Sequence, residues 1–152
     1  MAIKILAVGK KHESWVQEGI ERYQKRLRAP FVPEWVLLPH SSFEGDRARQ
    51  EESERILSRL HPDDMVILLD ERGKNLDSPA LSGLLEAPLQ QSRQVVVLIG
   101  GAFGVDDSVH RRAQVVWSLS KLVFPHQLVR LILIEQLYRA QEIARGGQYH
   151  HL

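Results

Sequence analysis

Two runs, MVILLD at 65–70 and QVVVLIG at 94–100, are almost wholly apolar over six and seven residues. That is strand length, and a strand apolar at nearly every position has to be covered on both faces, as in the interior of a parallel sheet. Parallel neighbours need a crossover between them, and LDSPALSGLLE at 76–86 supplies a helical pattern, with Ser78 as N-cap and Pro79 at the first helical position. The rest of the chain repeats the alternation. AIKILAV (2–8), EWVLLP (34–39) and VVWSLS (115–120) read as strands. ESWVQEGIERYQKRL (13–27), ARQEESERILSRL (48–60), a short helix capped by Asp106 or Asp107, and HQLVRLILIEQLYRAQEIAR (126–145) read as helices. The expectation is an α/β fold with a parallel sheet, helices on both faces, and ligands bound beyond the carboxyl ends of the strands.

At 152 residues and 43% hydrophobic, the chain suits one domain, residues 1–152, with no linker or internal repeat to divide it. A domain of this size does not easily enclose a large cleft alone, so a site shared between two copies is favoured. The absence of cysteine excludes disulfides and thiolate metal sites. No set of histidines and carboxylates recurs at ligand spacing, so no metal is expected. MAIKILAVGK lacks the apolar core of a signal peptide, which points to a cytoplasmic protein. The apolar stretch LVRLILIEQLYRA carries Arg130 and Glu135, which argues against a membrane span.

Net charge is +1 but uneven. Residues 1–28 hold seven basic and three acidic groups, and residues 108–152 hold six and two, while the middle is acidic. Two basic ends on one face would attract phosphate; scattered solvated charges are the competing reading. Three strand ends carry unusual residues: LDERGKNLDSP (69–79), LIGGAFGVDD (98–107) and SLSKLVFPH (118–126). The glycines of IGGAFG allow a ligand near the main chain, yet GGxxG matches neither the dinucleotide fingerprint nor the P-loop. Asp70 and Glu71 suit a ribose, an amine or a metal, or equally a solvated turn with local ion pairs.

LDERGKNLDSP, VLIGGAFG, WSLSKLVFPHQLVRLILIEQLYRAQ and the terminal QYHHL together resemble the small SPOUT-class methyltransferases of large-subunit ribosomal RNA, the RlmH type. The resemblance covers nearly the whole chain and is most specific from residue 94 onward. It implies a parallel sheet with a deep C-terminal trefoil knot, expected at about 65–145, within a single domain. It implies a homodimer that binds S-adenosyl-L-methionine and methylates N3 of a pseudouridine in 23S rRNA on the assembled ribosome. The cofactor positions it implies are Leu69, Gly100, Leu119, Ser120, Lys121, Leu122, Val123 and Phe124. The catalytic positions are Tyr149, His150 and His151, with His150 as base or proton relay and the tail completing the site at the dimer interface. Two departures stand out: His151 replaces the Arg or Lys that usually follows the Tyr-His pair, and Ala102-Phe103 replaces a polar pair in the glycine turn. Candidate RNA contacts are Arg130, Arg139, Lys10, Lys11, Arg22, Lys25 and Arg26, although Arg139 and Glu135 are spaced as an intrahelical pair. The alternatives are a related methyltransferase acting on transfer RNA and a ribosome-binding protein without catalysis.

Overall fold

A computed structural model describes residues 2–151. Five strands and five helices alternate: β1 (Ile3–Val8), α1 (Ser14–Gln24), β2 (Pro33–Leu38), α2 (Gly45–Leu57), β3 (Met65–Asn75), α3 (Ser78–Gln90), β4 (Val95–Ile99), α4 (Asp107–Arg112), β5 (Val115–Ser118) and α5 (His126–Ala144). All strand pairs are parallel, in the order β2-β1-β4-β3-β5, so the two apolar runs that form β3 and β4 lie in the interior of the sheet.

Side-chain alternation assigns the two faces. Ile3, Ile5, Ile67, Val95, Val97 and Trp117 pack with Val16 and Ile20 of α1, Leu81 and Leu85 of α3, and Leu133, Ile134 and Leu137 of α5. Their neighbours Leu6, Val8, Val66, Leu68, Val96 and Leu98 point the other way, onto Ile56 of α2 and Val109 of α4. With odd helices on one face and even helices on the other, all five helices start near the carboxyl edge of the sheet, where the three unusual junctions meet. Among the described residues no helix is long and apolar enough to cross a membrane.

Two boundaries differ from the sequence reading. The cap of α3 is Asp77, one residue before Ser78; its carboxylate accepts from the Ala80 amide at 2.8 Å, leaving the Ser78 hydroxyl to donate to Gln136 at 2.6 Å. An aspartate and a serine cap equally well, so composition alone does not choose between adjacent ones. More consequentially, β3 runs on to Asn75 instead of ending at Asp70. Its register against β5 shifts between Leu69 and Lys74, after which Lys74 and Asn75 pair with Trp117 and Ser118. DERG is thus an irregularity inside a strand, not a loop after one, and it pushes Asp70 to Arg72 outward at the carboxyl edge.

Candidate active site at the carboxyl edge of the sheet

The irregularity within β3 and the junctions after β4 and β5 line an open cavity of about 730 Å³. Seven of the eight expected ligand positions line it: Leu69, Gly100, Leu119, Ser120, Leu122, Val123 and Phe124. Lys121 is the exception and is exposed, pointing out of the loop that its neighbours form. The loop gets its shape from two serines. The Ser118 hydroxyl donates to the Ser120 carbonyl at 2.8 Å, and the Ser120 hydroxyl accepts from the Leu122 amide at 3.0 Å, while Asn75 donates to the Ser118 carbonyl at 3.0 Å. This turn claims the Leu122 amide and presents Leu122 and Val123 69% and 75% exposed. The opposite wall is the glycine turn, where a Cβ on Gly100 would approach Val105 Cγ1 to 3.0 Å, so a side chain there would crowd that wall.

Asp70 sits at the mouth. Burial alone would raise its carboxyl, but hydrogen bonds and charge from Arg72 outweigh this and hold it below the usual carboxylate range. Arg72 grips it through Nε at 3.2 Å and Nη2 at 3.1 Å, and His110 Nε2 lies 3.2 Å from the same carboxylate. The local ion pair foreseen in LDERGK therefore exists, and it is part of the cavity wall.

Two charged groups are interior, one that the sequence reading did not single out and one that it placed on the surface. Glu52, 2% exposed, accepts from the Ser41 amide at 2.8 Å; its other oxygen, Oε1, has no partner among the described residues and lies 2.5 Å from where a Cβ on Gly101 would be. Arg130 was expected to face RNA and is instead 1% exposed, donating to the Lys10 carbonyl at 2.8 Å and to His12 Nδ1 at 3.2 Å. It lies on the inward side of α5, one turn after His126, where a surface role is impossible. Gly9, at φ +137°, gives the guanidinium its room. The helical spacing of Arg130 with Leu133, Ile134 and Leu137 was the available signal.

His126 opens α5 and lines the cavity. Burial and then the Arg130 charge lower its pKa, against weaker opposing pulls from Glu52, Glu71 and the Gly100 main chain. His12 is lowered for the same two reasons, burial first and Arg130 second. A histidine with a lowered folded pKa favours the neutral form in the folded state. Its contribution is complete above the ordinary value of 6.5 and is lost as pH falls below it. Melting temperature should therefore drop between pH 7 and 5, with a shallower slope in His126→Asn; a profile that stays flat in the parent protein would contradict this.

The tail residues lie elsewhere. Tyr149 packs edge-on against Tyr138 at 4.7 Å, under the Arg139 guanidinium at 4.7 Å, and its hydroxyl is 3.4 Å from Glu135. Burial, then Glu135 and Tyr23, push that hydroxyl up to about 12. Arg139 and Glu135 form the intrahelical pair, at 3.1 Å, and Arg139 Nη1 also reaches His150 Nδ1 at 3.0 Å. His151 is exposed. Nine residues of α5 separate His126 from Glu135, about 13 Å along the helix axis. Within one chain, then, the tail docks on α5 well away from the cavity.

The Arg139 contact also bears on the expected role of His150. A guanidinium has no acceptor, so Nδ1 must accept, and a neutral His150 then carries its proton on Nε2. So held, the ring can donate a hydrogen bond from Nε2.

Whether the cavity suits S-adenosyl-L-methionine is answered by its walls. Its volume lies in the usual range for ligands of that size. Leu122, Val123, Phe124 and Leu69 offer apolar surface for a purine, and the glycine turn brings main-chain groups near. Trp117 also lines the cavity, and its buried indole N–H has no partner among the described residues. The residues present fit the group. Among the described residues no cluster of three or more histidines and carboxylates could hold a metal ion.

Comparison with known proteins agrees with this geometry. Residues 1–150 match the family model described as "Predicted SPOUT methyltransferase". The chain is 41% identical over 158 residues to a protein of Desulfitobacterium hafniense (strain DSM 10664 / DCB-2) named "Ribosomal RNA large subunit methyltransferase H", with 99% of each chain covered. A protein of the same name from Gloeobacter violaceus is 41% identical over 152 residues, again with 99% of each chain covered, and one from Alkalilimnicola ehrlichii is 40% identical over 154.

Proposed function

Because this chain belongs to the SPOUT methyltransferase family, we propose that it binds S-adenosyl-L-methionine in the carboxyl-edge cavity and methylates N3 of a pseudouridine in 23S rRNA on the assembled ribosome, in the cytoplasm. The observation that carries this reading is the convergence of Leu69, Gly100, Leu119, Ser120, Leu122, Val123 and Phe124 on one cavity. In this reading the stretch from about 65 to 145 carries the deep trefoil knot of the family. The tight passage of Gly73 over the Val116 main chain lies within that stretch.

The donor, when bound, supplies an already activated methyl group, so the protein's task is alignment and assistance to proton loss from the acceptor nitrogen. Leu122, Val123 and the glycine turn hold the donor and exclude water from around it. The Nε2–H of His150 donates to a carbonyl oxygen of the acceptor ring, drawing charge onto that oxygen as the N3 proton leaves to solvent. Arg139 keeps His150 in the donating tautomer, and Tyr149 wedges the tail against α5. His151 is the outermost of the three and meets the RNA backbone in this reading.

In this reading the protein is a homodimer with a shared site, so that a tail docked away from its own cavity meets the partner's. Support comes from the α1/α5 face, where Gly19, Leu128, Leu131 and Ile132 border an open groove of about 300 Å³. Gly19 lets the Leu131 side chain settle between the helices, since a Cβ there would approach it to 2.6 Å.

Saturating S-adenosyl-L-methionine, at a hundredfold excess over its Kd, should raise the melting temperature by about 5–10 °C. Labelled methyl should pass to intact ribosomes and much less to separated subunits or naked rRNA, because recognition in this reading relies on the folded shape of the RNA. Stabilisation without transfer to any of the three would refute the substrate assignment. No stabilisation at all would refute the cofactor and favour a ribosome binder.

A further inference from the structure

The glycine turn carries a side chain that cofactor binding does not explain. Gly101 and Gly104 face each other in an isolated antiparallel bridge, with the Gly104 amide donating to the Gly101 carbonyl at 3.0 Å and Gly104 at φ +75°. Ala102 and Phe103 form the tip, and the Phe103 ring is 40% exposed at the cavity mouth. The tip is not loose. Arg49 of α2 donates from Nε to the Phe103 carbonyl at 2.9 Å and is itself paired with Asp46. An aromatic residue on a turn held from two sides, partly open to water, presents a flat apolar surface at the mouth.

What lies around the ring limits what can cover it. β4 and β5 flank β3 in the sheet, so Phe103 stands on one side of the mouth, with exposed Leu122 and Val123 on the other. The mouth thus has apolar sides. Its polar lining is of mixed sign, with Arg49 and Arg72 beside Asp70, Glu71 and Asp107. Those carboxylates would repel a phosphate, so the mouth is not a phosphate cradle. They suit a neutral, planar group with apolar faces and N–H donors on its edge, which describes a nucleobase.

We propose that Phe103 is the stacking residue for an unpaired base of the RNA substrate, and that Arg49 is a positioning residue that fixes the turn beneath it. This deepens the proposed function and rests on it for the identity of the RNA. It also places the departure at Ala102-Phe103 on the substrate side of the cavity.

The test uses full-length Phe103→Ala and Phe103→Tyr, with ribosomes lacking the modification as substrate. Phe103→Ala should raise KM for ribosomes about tenfold and leave kcat within about threefold, consistent with the loss of one base–aromatic stack. The melting shift caused by S-adenosyl-L-methionine should be unchanged, and Phe103→Tyr should restore KM. An unchanged KM would overturn the proposal, as would failure of the tyrosine to rescue. A melting shift lost together with KM would assign the ring to the cofactor wall instead. If the parent protein transfers no methyl, co-sedimentation with ribosomes decides separately. Weaker binding by Phe103→Ala rescued by tyrosine upholds stacking while the methyl-transfer reading falls, and equal binding by all three proteins ends the proposal.

Discussion

His150→Ala is expected to lower turnover about a hundredfold, the usual consequence of losing a donor to developing negative charge, while the stabilisation by S-adenosyl-L-methionine persists. The tail touches α5, not the cavity, so cofactor binding has no reason to change. The two possible roles of the ring separate in His150→Gln. An amide donates a hydrogen bond but accepts no proton at neutral pH, so a donor role predicts partial retention of activity and a base role predicts a loss equal to alanine. The proposed shared site adds a second readout. Mixing His150→Ala chains with Gly100→Val chains, each inactive alone, should restore about a quarter of the parental activity, since half the dimers are mixed and each mixed dimer has one intact cavity facing one intact tail. No recovery in a mixture shown by melting to be folded would place the tail and cavity in the same chain.

Gly73→Ala is expected to be the most destabilising single methyl in the chain, costing about 3 kcal/mol. A Cβ at Gly73 would lie 2.4 Å from the Val116 carbonyl oxygen, 2.5 Å from its carbon and 2.9 Å from the Trp117 amide nitrogen. These are main-chain atoms of β5, and they are held by pairing to β3 on both sides of the irregularity, at Leu69 with Trp117 and at Lys74 with Trp117. No rotamer change relieves the contact. Gly101→Ala is the informative contrast, because the atom in its way is the Glu52 side-chain oxygen, which has a torsion to turn. Denaturant unfolding of both variants measures the difference, and a Gly73→Ala protein as stable as the parent would show that β5 shifts at little cost.

Much of the site was readable because its parts are local. The three strand ends, the glycine turn and the 119–125 loop each announce themselves by composition, and the resemblance grouped eight positions of which all but Lys121 line one cavity. Three things were not local. Arg130 looks like any helix arginine until the inward side of α5 is known. The orphaned oxygen of Glu52 depends on a glycine 49 positions away in sequence. The role of His150 turns on a contact with Arg139, eleven residues earlier, that no spacing rule requires.

By itself the sequence determined the class of fold, because strands apolar at every position have no stable place outside a covered parallel sheet, and alternating helical periods leave only one kind of cover. It also marked the segments that line the cavity, since glycine, proline and charge at a strand end are visible without coordinates. Only the tertiary structure decided that β3 continues past its irregularity to hold Asp70 at a cavity mouth, that Arg130 is interior, and that the tail rests away from the cavity of its own chain. Those outcomes depend on which surfaces face each other after the chain has crossed the sheet four times, and periodicity along one strand or helix contains no term for its neighbour.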